Sequence, residues 1–137
     1  MMKNFSLLLL AILLLSSCLN NDNDVANFSY EYVAIDEAIT PASFTFGEKD
    51  SITVKYSLPN SCYFFDRMYY EYKDSTRIVA VIAYVDLKNS ICNLPAIEEE
   101  HKFAVTATQR EDYIFKFYKG RDTNGDSIFD EVVVPVN

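Results

Sequence analysis

Alternation of apolar and polar residues with a period of two runs through most of this 137-residue chain, and it restricts the fold more than any other feature. Ile52, Val54 and Tyr56 alternate with Thr53 and Lys55. Phe103, Val105 and Ala107 alternate with Ala104, Thr106 and Thr108, and Tyr113, Phe115 and Phe117 with Ile114, Lys116 and Tyr118. Successive side chains of a strand point to opposite faces, so this pattern buries one face and solvates the other; a helix of period 3.6 cannot use it. Stretches 28–35, 63–73, 76–85 and 128–136 read the same way, separated by turn-prone pieces such as Gly47-Glu48-Lys49-Asp50 and Leu58-Pro59-Asn60. No sustained helical repeat interrupts them, although Ile97-Glu98-Glu99-Glu100 is compatible with one helical turn.

Seven short strands in about 110 residues predict an all-β chain, folded as an antiparallel β-sandwich of immunoglobulin or fibronectin-III type over residues 28–137. Pro135 fits an edge strand or a strand end, because it donates no ladder hydrogen bond. If Asp74-Ser75 turns a hairpin, residues whose numbers sum to about 149 face one another and Cys62 lies opposite Leu87. The segment 88–92 then needs only to curl back for Cys62 and Cys92 to form a disulfide, which would stabilise the fold by about 3.5 kcal/mol on the chain-entropy argument. A redox-active pair is the rival reading, but the spacing is far from Cys-x-x-Cys and no flanking cation lowers either thiol pKa.

The same register sorts the hairpin's two faces. Phe64, Met68 and Tyr70 share a side with Val79, Val81 and Val85, a coherent core face. The reverse side collects Tyr63, Phe65, Arg67, Tyr69 and Glu71 with Ile78, Ala80, Ile82 and Tyr84, more aromatic and apolar than a solvated sheet requires. Tyr63, Phe65, Arg67, Tyr69, Ile82 and Tyr84 are therefore a candidate binding face, since aromatic rings around an arginine are what contact surfaces favour. Two other accounts stay open: residues 28–46 or the 86–97 loop cover that side, or the turn is shifted by one and the faces exchange.

The N-terminus adds an address. Lys3 precedes an apolar run from Phe5 to Leu15, too short to span a bilayer, and small residues follow it. Leu15, Ser16, Ser17 and Cys18 fill a lipobox position by position, so this end resembles the signal peptide of bacterial lipoproteins. The resemblance implies cleavage after residue 17, acyl chains on Cys18 and a polar tether over 18–27. Two or more chains give stable anchoring where one would be reversible. The Asp- and Asn-rich stretch after Cys18 resembles the surface-export signal of lipoproteins common in Bacteroidota. The body is also similar to small Bacteroidota-type lipoproteins with an immunoglobulin-like domain, in Cys62-Tyr63, Arg77-Ile78-Val79-Ala80-Val81, the run from Asp112 to Gly120 and a Val-rich final strand. That likeness implies a lipid-anchored envelope location in the outer membrane, the export-signal resemblance adds display at the cell surface, and neither supplies an activity.

Removing residues 1–17 takes away Lys3, so 12 basic residues become 11 against 20 acidic ones, a net charge of −9. Such a balance argues against nucleic acid as a partner. The sole His101 follows Glu98-Glu99-Glu100, yet adjacent residues point in different directions and cannot converge on one ion. No Gly-x-Ser-x-Gly, Walker or His-Glu-x-x-His motif is present, so no catalytic residues are assigned and no enzyme is expected. Asp122, Asn124, Asp126 and Asp130 place oxygen ligands at alternate positions and resemble the calcium loops of EF-hands and thrombospondin-type repeats. Ser127 stands where the EF-hand glycine belongs, however, and Asn124-Gly125 between two strands is also a plain hairpin signal. The expected function is a non-catalytic binding or adaptor module at the bacterial envelope, without cofactor unless calcium binds, docking a protein or a glycan. Alternatives are an accessory subunit of a larger outer-membrane complex or a calcium-stabilised domain.

Overall fold

A computed structural model describes residues 26–89 and 91–137. The leader expected over 1–17, the expected lipid site Cys18 and all but the last two residues of the tether expected over 18–27 lie outside the described residues. Eight strands follow in order: β1 (Phe28–Val33), β2 (Ile35–Ile39), β3 (Lys49–Leu58), β4 (Tyr63–Lys73), β5 (Thr76–Asp86), β6 (Ile97–Thr106), β7 (Tyr113–Arg121) and β8 (Ser127–Val134). No helix occurs among the described residues. The described residues are all-β, and their strands form two sheets that share one core.

The five-stranded sheet is built around β5. β4 pairs along one edge of it; the other edge is shared by β1, opposite 81–86, and β7, opposite 76–79, with β8 outside β7. The three-stranded sheet has the order β2-β3-β6. Every strand pair is antiparallel except β5–β7. The exception follows from the path: after β5 the chain crosses to the other sheet as β6, runs its length, and re-enters beside β5 in the same direction.

The sequence reading merged two strands into one. Stretch 28–35 breaks at Ala34, so that β1 joins one sheet and β2 the other. Lys119 Nζ donates to the carbonyls of Ile35 and Asp36 at 2.8 and 3.0 Å, at the bulge that opens β2, and so helps to satisfy the backbone there. The 97–100 segment is not a helical turn: it opens β6 and pairs with 55–58, because β3 is long enough to template it.

Period two does set the core. Ile52, Val54, Tyr56 and Leu58 from β3 face Val79, Val81 and Ala83 from β5, with Phe115 and Phe117 from β7 and with Phe44 between sheets. Tyr113, Phe115 and Phe117 form a ladder of rings about 5.8 Å apart. The Tyr113 hydroxyl accepts the Thr108 N–H at 3.0 Å and ties the β6–β7 connection. Such a tyrosine corner is the kind that immunoglobulin-type sandwiches use.

The β4–β5 hairpin turns at Asp74-Ser75, with Asp74 at φ 55, a left-handed conformation that aspartate tolerates. From Lys73↔Thr76 to Arg67↔Ile82 the register sums to 149 as the sequence predicts; Asp66 then bulges out, and Phe65↔Ala83 onward sums to 148. Cys62 consequently faces Asp86, whose N–H it accepts at 3.0 Å, instead of Leu87. Cys62 and Cys92 are disulfide-bonded, with Cα atoms 5.3 Å apart.

Candidate binding face

The bulge decides which rings face outward. A strand that gains one residue moves every side chain beyond it to the other face. Tyr63 and Phe65, expected on the candidate binding face, instead pack against the core, and Phe64, expected inside, is half-exposed on the outer side. Arg67, Tyr69, Ile82 and Tyr84 lie on the outer face as expected. The 28–46 stretch covers part of that face: Tyr32 of β1 meets the Tyr69 ring of β4 across β5, and Ile82 and Ala80 on β5 are buried at 8% and 3% exposure. β1 extends it sideways, because Tyr30 and Tyr32 stand directly opposite Tyr84 and Ile82.

Two aromatic groups result. Nearer the disulfide, Tyr84 touches the rings of Phe28 (5.4 Å), Tyr30 (6.1 Å) and Phe64 (6.3 Å). Arg67, ion-paired with Asp66, lays its guanidinium 5.1 Å from the Tyr30 centroid. Further along, Tyr32 meets Tyr69 and Tyr118 at 5.7 Å each, and Tyr118 meets Phe129 at 6.1 Å. These four rings wall a shallow hollow of about 190 Å³ floored by Ile78 and Ala80, with Glu71 and Arg121 beside it. The Tyr69 hydroxyl donates to the Glu71 carboxylate, which pushes that phenol's pKa up.

Phe28, Tyr30, Tyr32, Tyr118 and Phe129 escaped the sequence reading. Their alternation with Ser29, Glu31 and Lys119 is visible in the chain, but which strands flank β5 is not.

The remaining candidates are dispersed. Among the described residues no group of three or more His, Cys, Asp or Glu side chains is placed to hold a metal ion. The Asp122 carboxylate instead accepts the N–H groups of Asn124 (2.8 Å) and Asp126 (3.0 Å), and Gly125 takes φ 88, so these residues build a hairpin loop. Asp130 sits out on β8, opposite Phe117. His101 stacks on Phe65 at 4.6 Å between the sheets, and within β6 Glu99 shares its face while Glu98 and Glu100 take the other.

A second cavity, of about 450 Å³, opens between β4 and β6 and is lined by Met68, Tyr70, Arg77, Phe103 and Tyr113. Burial pushes the Tyr70 phenol up to about 12. Comparison with known proteins adds no assignment. No protein-family model, curated protein or solved structure matches this chain.

Proposed function

We propose that the chain is a lipid-anchored, non-catalytic binding module of the bacterial cell envelope that docks an envelope protein on the outer face of its five-stranded sheet. The observation that carries this reading is the two ring clusters on this face, Phe28, Tyr30, Phe64 and Tyr84 beside Arg67, and Tyr32, Tyr69, Tyr118 and Phe129, of which Phe28, Tyr30, Tyr32, Phe64 and Phe129 are exposed. Cross-strand ring pairs stabilise a sheet, but a solvated face does not need this many exposed rings, whereas rigid aromatic anchors around an arginine are what protein contacts concentrate. The hollow between Tyr32, Tyr69, Tyr118 and Phe129 is of a size to take one apolar side chain, with Glu71 and Arg121 to orient its neighbours. Protein is favoured over glycan because the chain has no Trp, on whose broad ring sugar faces stack best. The anchor rests on Leu15, Ser16, Ser17 and Cys18, and the absence of assigned catalysis on the scarcity of paired acid–base groups around the sole His101.

Palmitate incorporation that disappears in Cys18→Ala tests the anchor, and protease shaving of intact cells tests display. For the face, a photoreactive phenylalanine analogue at position 32 should yield one discrete protein adduct in intact cells. The same analogue at Lys102, on the opposite sheet, should yield none, and Tyr69→Ser should abolish the adduct. Equal adducts from both positions overturn the assignment of the face, as does retention on polysaccharide beads with no protein adduct.

A further inference from the structure

We propose that the end of the sandwich where the anchor enters dips into the bilayer interface, with the 87–97 loop laying Leu87, Ile91 and Leu94 at the level of the lipid headgroups. This rests on the lipid anchor proposed above and not on the aromatic face.

Three observations converge. The first is position: the Asn27 carbonyl accepts the Leu87 N–H at 2.9 Å, so the chain that runs back to Cys18 leaves the domain beside this loop. The disulfide holds Cys92 to Cys62 at the same end. Eight residue steps from Cys18 to Ala26 span at most about 28 Å, so the end that carries the tether is held closest to the membrane.

The second is exposure. Leu87, Ile91 and Leu94 are 58%, 65% and 59% exposed, and Ile97, at the end of the loop, is exposed as well. The loop also satisfies its own backbone in two turns: Asp86 Oδ1 accepts the Lys88 N–H at 2.9 Å and Asn89 Oδ1 accepts the Ile91 N–H at 3.0 Å. Aliphatic side chains can therefore enter an apolar boundary without dragging those amides in unpaired.

The third is charge. The protein carries a formal net charge of −8, yet between Asp86 and Glu98 there is no carboxylate and the one charged residue is Lys88. A lipid surface repels the acidic remainder and accepts this end, where apolar burial and a cation act together. A protein partner would need no such coincidence of apolar loop, missing carboxylates and tether exit.

The chain has no tryptophan, so Leu94→Trp introduces a single probe at an exposed site. Lys73→Trp supplies the control at the far hairpin turn, an 11-residue strand away, about 35 Å. Each lipidated full-length variant is reconstituted into phosphatidylcholine vesicles with and without brominated acyl chains, and palmitate incorporation is measured on the same samples. The expected result is blue-shifted, bromolipid-quenched emission from position 94 and unshifted, unquenched emission from position 73; Ile91→Trp should behave like Leu94→Trp. Unquenched emission at 94 and 91 in a palmitate-labelled protein overturns this inference and leaves the anchor standing. A blue shift without quenching also overturns it, since a second copy or another protein then covers the loop. Absence of label overturns the anchor itself and this inference with it.

Discussion

Arg77 carries its charge into the interior. Among the described residues no carboxylate lies within ion-pair distance of it. Its guanidinium instead donates to the carbonyls of Asp74 (2.7 Å) and Thr76 (3.0 Å) and to Gln109 Oε1 (2.6 Å). The rings of Tyr72 and Tyr113 lie 4.6 and 4.9 Å from its centre. One side chain thus joins the β4–β5 turn to the segment before β7, and two ring faces offset part of its desolvation. Among the described residues its Nε has no hydrogen-bond partner, which marks the arrangement as costly to build. Arg77→Met should lower unfolding free energy by about 2–4 kcal/mol in a urea titration, because buried acceptors lose their donor. Arg77→Lys should restore only part of that, since an ammonium cannot span the same fork. An unchanged midpoint for Arg77→Met would show the network to be idle. Nothing in the sequence singles Arg77 out, because its side-chain acceptor, Gln109, lies 32 residues away in the chain.

Within the β4–β5 hairpin, sequence legibility stops at one residue. Alternation and a two-residue turn were enough to pair Lys73 through Arg67 correctly. They failed at Asp66 because a bulge leaves no mark in a stretch where Tyr63, Phe64 and Phe65 are all aromatic and either face would accept them. Burial decides: the bulge lets Phe65 reach Tyr56 and His101 between the sheets, while Phe64 is left to Tyr84 outside. The consequence is measurable. Phe65→Ala should cost about 2–3 kcal/mol, less than a fully buried Phe because its site is partly open, and Phe64→Ala should cost well under about 1 kcal/mol. Chemical denaturation of the two variants checks the order, and the reverse order would restore the uninterrupted register. The parallel β5–β7 pair was equally hidden, since strand periodicity says which face is inner but not which neighbour is adjacent.

On the scale of the whole molecule, alkaline pH acts through tyrosine. The Tyr56 hydroxyl is desolvated and donates to Glu99 at 2.9 Å, and both effects push its pKa well above the usual tyrosine value. Burial raises Tyr70 to about 12, and Tyr63 is raised by its hydrogen bond to Glu31. Above about pH 10 the unfolded chain gives up these protons while the fold keeps them. The unfolded state then binds fewer protons, so stability falls as pH rises from about 10 to 12 and is level below that range as far as these groups are concerned. Urea midpoints at pH 8, 10 and 11 should decline over the last step, and Tyr70→Phe should flatten the decline. A midpoint independent of pH through 11 would mean that these phenols ionise equally in both states. The disulfide, whose loop of about 30 residues stabilises the fold by about 3.5 kcal/mol on the chain-entropy argument, is intact across this comparison and does not contribute to the slope.

Local pattern by itself determined the all-β class, the inner face of β3 and β7, the Asp74-Ser75 turn and the pairing of Cys62 with Cys92. Each depends on side chains a few residues apart or on one hairpin, where alternation and turn chemistry are sufficient information. Tertiary structure decided the Asp66 bulge, the transfer of the chain between sheets at Ala34, and the sharing of one β5 edge by β1 and β7. It therefore also decided which rings make up the outer face. Those outcomes are set by which arrangement buries most apolar area across distant segments, a sum over the whole fold that no local period contains.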